Sequence, residues 1–347
     1  MLTAMPAVGQ KFLPQDIVEA EAITEEMNDK ILMVVDPLMF DLVRDEPEAE
    51  DITETREQLL RLLNTLGASP AYKEALSKAI TASRLPEAAK HDNAMVRYNA
   101  MLILRSMVDA GSESLITAGL NDKNDAVKRG AMQALGERMK WWKDQDRGGM
   151  QAKITAGIKQ IVGIVDAAQP PHPIVVAAAF DALLKVDTPA SRAALIDLLN
   201  KRVALHKADP DLSYSAERSV IEQFANTLSL ESPQDNRSIK GLARAMSRYA
   251  SLIDDQFLNN GISEEQEMDN KSMMLQCLNG LNRLGAALKV APPADQLQAK
   301  GWITNGRWDE LGKLVNEDWG EILVANQFGL KPSELEVDSN AAAAPAE

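Results

Sequence analysis

DNAMVRYNAMLILRSM, residues 92–107, decides the fold because its pattern recurs. Set against NDAVKRGAMQAL, which begins at Asn124, it pairs Asn93 with Asn124, Val96 with Val127 and Arg97 with Lys128. Ala100 then falls on Ala131 and Leu104 on Leu135, all at an offset of 31 residues. Apolar residues at this spacing form a stripe on one face of a helix. Between the two copies, SESLITAGLND is long enough for a second, shorter helix. Each unit therefore reads as a helix pair joined by tight turns. A helix with one such stripe cannot bury it alone, whereas stacked pairs bury a continuous core. The alanines let neighbouring backbones approach closely.

Further units follow in looser form. PIVVAAAFDALLKV, residues 173–186, repeats the apolar and alanine texture, and DTPASRAALIDLLNKRVAL supplies its second helix. An inserted helix, MQAKITAGIKQIVGIVDAA, precedes them. AERSVIEQFANTL and RSIKGLARAMSRYASLI make another pair, with Asp235 or Asn236 as a cap. The pattern from Glu264 to Val290 is one more helix, with breaks expected near Gly280 or Gly285.

On the N-terminal side, residues 17–35 read as an amphipathic helix carrying Ile17, Ile23, Met27, Ile31 and Val34, interrupted by Pro37. Residues 41–54 hold seven acids against Arg44, an acidic connection or surface. REQLLRLLNTLG, stopping at Gly67, pairs with a helix entered through Ser69 and Pro70. Past Pro292 and Pro293, Trp302, Trp308 and Trp319 signal a terminal cap over the last repeat. The expected organisation is a flexible N terminus (or the remnant of an export segment) at 1–16 and a helical segment at 17–68. A repeat domain at 69–290, the Trp-containing cap at 291–330 and a disordered acidic, Ala-rich tail at 331–347 complete it.

The stretch LNDKNDAVKRGAMQALGERM, residues 120–139, resembles a HEAT repeat, of the armadillo-like class of helical repeats. The resemblance rests on Asp122, Asn124, Asp125, Val127, Lys128, Ala131 and Leu135, and one unit earlier on Asn93, Val96, Arg97, Ala100 and Leu104. It implies that the turn residues cap helices and that valine, alanine and leucine enter the stack. It also implies that Arg97 and Lys128 contribute to a polar ladder between repeats. The uneven spacing and the Trp-rich end make the expected fold all-α, with stacked antiparallel helix pairs forming an irregular HEAT-like α-solenoid. A family of this kind implies protein-binding or scaffolding surfaces.

The totals narrow the function. The 347 residues are 45% hydrophobic but only 4% aromatic, enough for a sizeable helical core. A formal charge of −14 disfavours a broad phosphate-tracking surface, so nucleic-acid binding ranks last. The single cysteine, Cys277, lies in an apolar helical pattern, as a buried inert thiol would. No transmembrane run is present. MLTAMPAVGQ lacks the basic start of a complete signal peptide. The expectation is cytoplasmic by default, with export open if residues 1–10 are the tail of such a peptide.

Chemistry-bearing motifs are sparse. His91, His172 and His206 lack metal-pair spacing, and His91 and His172 precede repeat helices, where capping explains them. Gly148-Gly149 reads as a joint, and no nucleophile elbow is present. No cofactor, metal or catalytic residue is implied. Two partner-binding candidates stand out. Trp141 and Trp142 end a repeat helix, rimmed by Lys140, Lys143 and Arg147, where one ring anchors the helix end and the other covers the inserted helix or meets a partner. Lys201, Arg202, His206 and Lys207 form the best positive patch, suited to an acidic peptide or to the chain's own acidic tail. The favoured reading is a noncatalytic protein-binding or scaffold module with a groove for a protein or peptide, its acidic rim favouring a basic one. The alternative is an enzyme with a pocket between repeats, built from convergent His and carboxylate residues.

Overall fold

The computed structural model describes residues 13–107, 110–145, 149–167, 169–259, 263–325 and 328–337. The export reading of residues 1–10, the joint at Gly148, the rim residue Arg147 and the tail beyond 337 lie outside the described residues. Among the described residues every regular element is helical. None of these helices is long and apolar enough to cross a membrane. The chain packs as two compact units, Met1–Gly157 and Ile158–Glu347. Each is an irregular solenoid-like stack of antiparallel helix pairs, and the 31-residue recurrence falls in the first.

The first unit runs through α1 (Gln15–Val18), α2 (Glu25–Leu42), α3 (Ala49–Leu63), α4 (Pro70–Ala82), α5 (Leu85–Ala88), α6 (Ala94–Ser106), α7 (Glu113–Leu120) and α8 (Asp125–Asp144). Helix α9 (Met150–Val165) spans the division between units. The recurring stretch is α6 and α8, packed side by side, with α7 against α8. Asn93 and Asn124 are the N-caps: the Asn93 side chain accepts from the Met95 N–H, and that of Asn124 from the Ala126 and Val127 N–H groups. Each bond satisfies a donor the helix leaves open. Val96, Ala100, Leu104, Val127, Ala131 and Leu135 are all buried.

Small residues set the spacing of this stack. A Cβ added at Gly119 would stand 2.9 Å from the Ala131 Cβ, and one at Gly130 would stand 2.9 Å from the Met101 Cβ. Met101 thus fills the space that two glycines leave, and α6, α7 and α8 close around it. At the edge, Arg97 Nε and its terminal nitrogen donate to the two Asp122 carboxylate oxygens at 2.7 and 3.0 Å. Its other nitrogen donates to the His91 and Asp92 carbonyls. Arg97 therefore ties the entry of α6 to the turn before α8. Among the described residues Lys128, its counterpart, pairs with Asp125 in its own first turn, at 3.6 Å.

Three local expectations change. The helix expected at 17–35 is two: α1 ends at Val18, and α2 starts after Thr24, whose hydroxyl accepts the Met27 N–H. Pro37 does not interrupt α2, which continues to Leu42. Ile31, Val35, Leu38, Met39 and Leu42 bury the inner face on both sides of the proline, and this packing offsets the one missing hydrogen bond. Helix α3 packs chiefly on α2 and α6, with little against α4, although Ser69 and Pro70 do open α4.

The second unit contains α10 (Pro173–Val186), α11 (Pro189–Ala208), α12 (Ser215–Asn226), α13 (Asn236–Asn259) and α14 (Glu264–Ala287). Short helices follow: α15 (Ala299–Asn305), α16 (Trp308–Lys313), α17 (Gly320–Ala325) and α18 (Pro332–Leu335). Helices α10, α12 and α14 pack in sequence as one layer, and α11 and α13 pack as the other. Arg192 serves here as Arg97 does in the first unit. It bridges Asp187, at 2.6 and 3.0 Å, and Asp235, at 2.9 Å, tying the start of α11 to the turn before α13. Asp235 also caps α13 by accepting the Ser238 N–H. Helix α14 is unbroken at Gly280 and Gly285. The C-terminal helices lie on α13 and α14: Trp319 is fully buried and donates to Gln296 Oε1 at 2.7 Å, and Trp308 stacks on Phe257. Pro332–Leu335 is an ordered helical turn against α13 within the stretch expected to be disordered.

Candidate functional site

Helical spacing brings Arg202 and His206 together, but facing inward. Arg202 is 2% exposed and His206 fully buried. Both reach the same oxygen, Oε1 of Glu217, which is also fully buried; His206 Nε2 lies 3.0 Å from it and Arg202 Nε donates to it. The physical reason lies in α11 itself. Leu195, Leu198, Leu199, Arg202, Val203 and His206 form one inward stripe, so the helix cannot bury its leucines without burying these two as well. His206 stacks on Tyr214, ring centroids 4.0 Å apart, with Tyr249 edge-on to both rings.

Burial alone would raise the Glu217 pKa. The hydrogen bond and charge of His206, with those of Arg202, outweigh it and hold the carboxyl below its ordinary value. Glu217, Tyr214 and Tyr249 carry no motif, and the spacing of α11 is the only sequence signal that points inward. This convergent His–carboxylate pair is the kind an inter-repeat enzyme would need. With no accessible surface on either side chain, it sits in the core and does not face an open pocket. The surface remainder of the patch is Lys201, paired with Asp166 and Asp197, and Lys207, whose ammonium donates to the Val337 carbonyl.

The tryptophan pair divides as adjacent helical positions must. Trp142 is 5% exposed, with the Lys153 ammonium of α9 over its ring at 5.3 Å. Trp141 stays half-buried at the end of α8. His91 and His172 both act in turns: each accepts, at Nδ1, the N–H two residues on. Cys277 is fully buried, and burial pushes its thiol far above its ordinary pKa.

Two surface features carry more than these residues do. On α2, Met33, Pro37 and Phe40 lie at helical spacing on the face opposite the buried stripe. Met33 is 72% exposed and Phe40 is 54% exposed even with the Arg84 guanidinium over its ring. Pro37 is exposed as well and offers no N–H to the Met33 carbonyl. Asp29, Asp36 and Asp41 are exposed around this apolar row. The second feature is a cavity of about 510 Å³ between α11 and α13, closed at one end by Gly329, Leu330 and Glu334. Ala193 and Ile196 line one wall and Arg237, Lys240 and Arg244 the other.

No family model matches this chain, and no curated protein matches it in sequence. Among solved structures it is similar to an engineered protein, at 15% identity and a TM-score of 0.38, covering 71% of this chain and 97% of that one. It is also similar to Kap121p bound to RanGTP, at 15% identity and a TM-score of 0.44, covering 89% of this chain and 33% of that one. Kap121p without that partner aligns at 16% identity and a TM-score of 0.45, covering 88% and 36%. This chain thus spans about a third of Kap121p.

Proposed function

We propose that the chain is a noncatalytic protein-binding module and that the outer face of α2 receives a basic amphipathic helix. The Met33–Pro37–Phe40 row is the observation that carries this reading. Large apolar side chains this exposed, aligned on one helix and rimmed by acids, have the anatomy of a helix-docking surface. Covering what remains exposed of Met33 and Phe40 contributes about 1–2 kcal/mol each. The rim aspartates select lysine or arginine on the incoming helix and reject acidic ones. Trp141, half-buried, remains a candidate for a second and smaller contact, while Trp142, Arg202 and His206 serve the core.

Photo-crosslinking tests this reading. A benzophenone amino acid replaces Met33 in one variant and the exposed Glu50 in another, and native extract is irradiated with each. A basic protein captured through position 33 and not through position 50, and lost when Asp29→Lys and Asp36→Lys are added, is the expected result. Equal capture at both positions, or capture that survives the charge reversal, refutes the reading.

A further inference from the structure

The cavity between α11 and α13 has an unbalanced wall. Arg237, Lys240 and Arg244 occupy positions i, i+3 and i+7 of α13, one face of the helix. Asp197 and Asp235 also line the cavity, and each has a basic partner: Arg192 for Asp235 at 2.9 Å and Lys201 for Asp197 at 3.3 Å. Among the described residues, Arg237 and Lys240 have no ion pair. Gly241, between them and Arg244, keeps α11 close: a Cβ there would stand 2.9 Å from Ile196 Cγ2. The floor is thus apolar and tight, and the charges left over on the lining, once its acids are paired, are the cations Arg237 and Lys240.

One end of this groove already holds an anion from the chain itself. Glu334 of α18 meets Arg244 at 3.1 Å and accepts the Lys331 N–H at 2.8 Å. That backbone hydrogen bond, with the Arg244 charge, holds the Glu334 carboxyl below its ordinary pKa. Three residues on, the Val337 carbonyl accepts from Lys207 at 2.7 Å. The attachment is polar throughout, and α18 has no buried residue. Just upstream, Phe328 is fully buried and Leu330 nearly so, with Gly329 between them at a φ of 53° that favours glycine. The segment is anchored at Phe328 and Leu330 and rests beyond them on one half-buried ion pair and one hydrogen bond from the exposed Lys207.

We propose that the α11–α13 groove is a docking site for an acidic peptide segment of a partner protein, and that Lys331–Val337 is a tethered competitor occupying its Arg244 end. A partner segment would place carboxylates on Lys240 and Arg237 and displace Glu334 from Arg244. Tethering gives the chain's own segment a high effective concentration, so a free peptide must outcompete it. Breaking the internal ion pair should therefore open the Arg244 end and leave the α11 and α13 walls in place.

The test uses the full chain and a fluorescein-labelled peptide of the sequence KPSELEV, read by anisotropy. Glu334→Gln should bind the peptide about 3- to 10-fold more tightly than the unaltered chain. Arg237→Glu with Lys240→Glu should weaken binding by about 10-fold or more, and Lys240→Gln alone by about 3-fold. Added salt should weaken binding of the unaltered chain, and a peptide with both glutamates changed to glutamine should not bind. Three results would overturn the proposal: no gain in Glu334→Gln, equal binding of the charged and neutral peptides, or full binding in the Arg237/Lys240 double variant. If the double variant fails to fold, Lys240→Gln decides: unchanged affinity there also overturns it.

Discussion

Both stacks close a methionine against glycine, Met101 in the first and Met246 against Gly280 in the second, but they place their ion pairs differently. Between α6, α7 and α8 a methionine is closed in by two glycines, the Arg97–Asp122 pair is kept to the edge, and the buried Arg138 donates to the Met107 carbonyl and the Ser112 hydroxyl. In the second unit an arginine, a histidine and a glutamate lie inside the stack, and further buried polar pairs surround them. Arg248 donates to Asn200 and Asn270 to Gln256. An apolar contact between small residues fixes distance: it tolerates a change of pH and resists a change of volume. A buried ionic contact does the reverse. It tolerates reshaping when the whole set is replaced, and fails when one charge is lost.

Glu217→Gln should break the second unit hardest. The glutamine is nearly isosteric, but Arg202 is then left buried without its counter-charge, at a cost of about 3–5 kcal/mol. Peptide-resolved hydrogen exchange reads the loss, which should appear across α11, α12 and α13 and leave α6 and α8 protected. The pH dependence has a definite sign. The Glu217 carboxyl is held below its ordinary value. Its contribution is therefore complete above its unfolded pKa of about 4.3 and is lost as pH falls through the lower folded value. Acidification should strip protection from the second unit in the unaltered chain, and Glu217→Gln should remove that component. Uniform loss across both units would mean that the contrast between them is mistaken.

Gly130→Val is the matching insult to the first unit. Its Cβ arrives 2.9 Å from the Met101 Cβ, close to the backbone and unable to swing away. Valine also lacks the helix propensity that would compensate an alanine. The expected cost is about 1–3 kcal/mol, confined to α6–α8 and insensitive to pH between 5 and 8. A thermal melt showing no loss would mean that the stack breathes enough to absorb a branched side chain.

The contrast also explains what could be read in advance. Val96, Ala100 and Leu104 recur as Val127, Ala131 and Leu135 because packing at a repeated distance demands repeated sizes. The Arg97 contact was implied by the resemblance to a HEAT repeat, which implied as much for Lys128, and Lys128 pairs with Asp125 in its own first turn instead. Arg202 and His206 were legible only as a pair. Their placement on the outside followed from their charge, and the leucines at 195, 198 and 199 were the stronger evidence for their direction. Glu217 was not legible, because a buried ion pair needs a partner from another helix and sequence spacing within one helix does not name it. The α2 surface was hidden by Pro37, which reads as a stop when only the local hydrogen bond is counted. Arg237, Lys240 and Arg244 have readable spacing, but the groove they line exists only once Gly241 lets α11 approach and Glu334 returns to α13.

The smallest of the expected effects separates the two kinds of core within the second unit alone. Asp254 of α13 lies beneath α16, where Gly312 has no Cβ and comes within contact of its carboxylate. Asn316 donates to Oδ2 at 3.1 Å. Burial first, then the charges of Asp255 on its own helix and Asp309 on α16, push the Asp254 pKa up to about 6, against the pull of the Asn316 bond. Because this carboxyl is raised, its sign is opposite to that of Glu217. Its contribution is complete below the unfolded value of about 3.9 and is lost as pH rises through about 6. A neutral amide should hold α16 better than the carboxylate at pH 8. The shift corresponds to about 2–3 kcal/mol, of which the extra amide donor, needing a partner of its own, takes back part. Asp254→Asn should then raise stability by about 1 kcal/mol at pH 8 and by nothing, or slightly less than nothing, at pH 4. Urea midpoints at the two pH values decide it. An equal effect at both would mean that α16 is held by Phe257 and Trp308 alone and that Asp254 senses nothing of its docking.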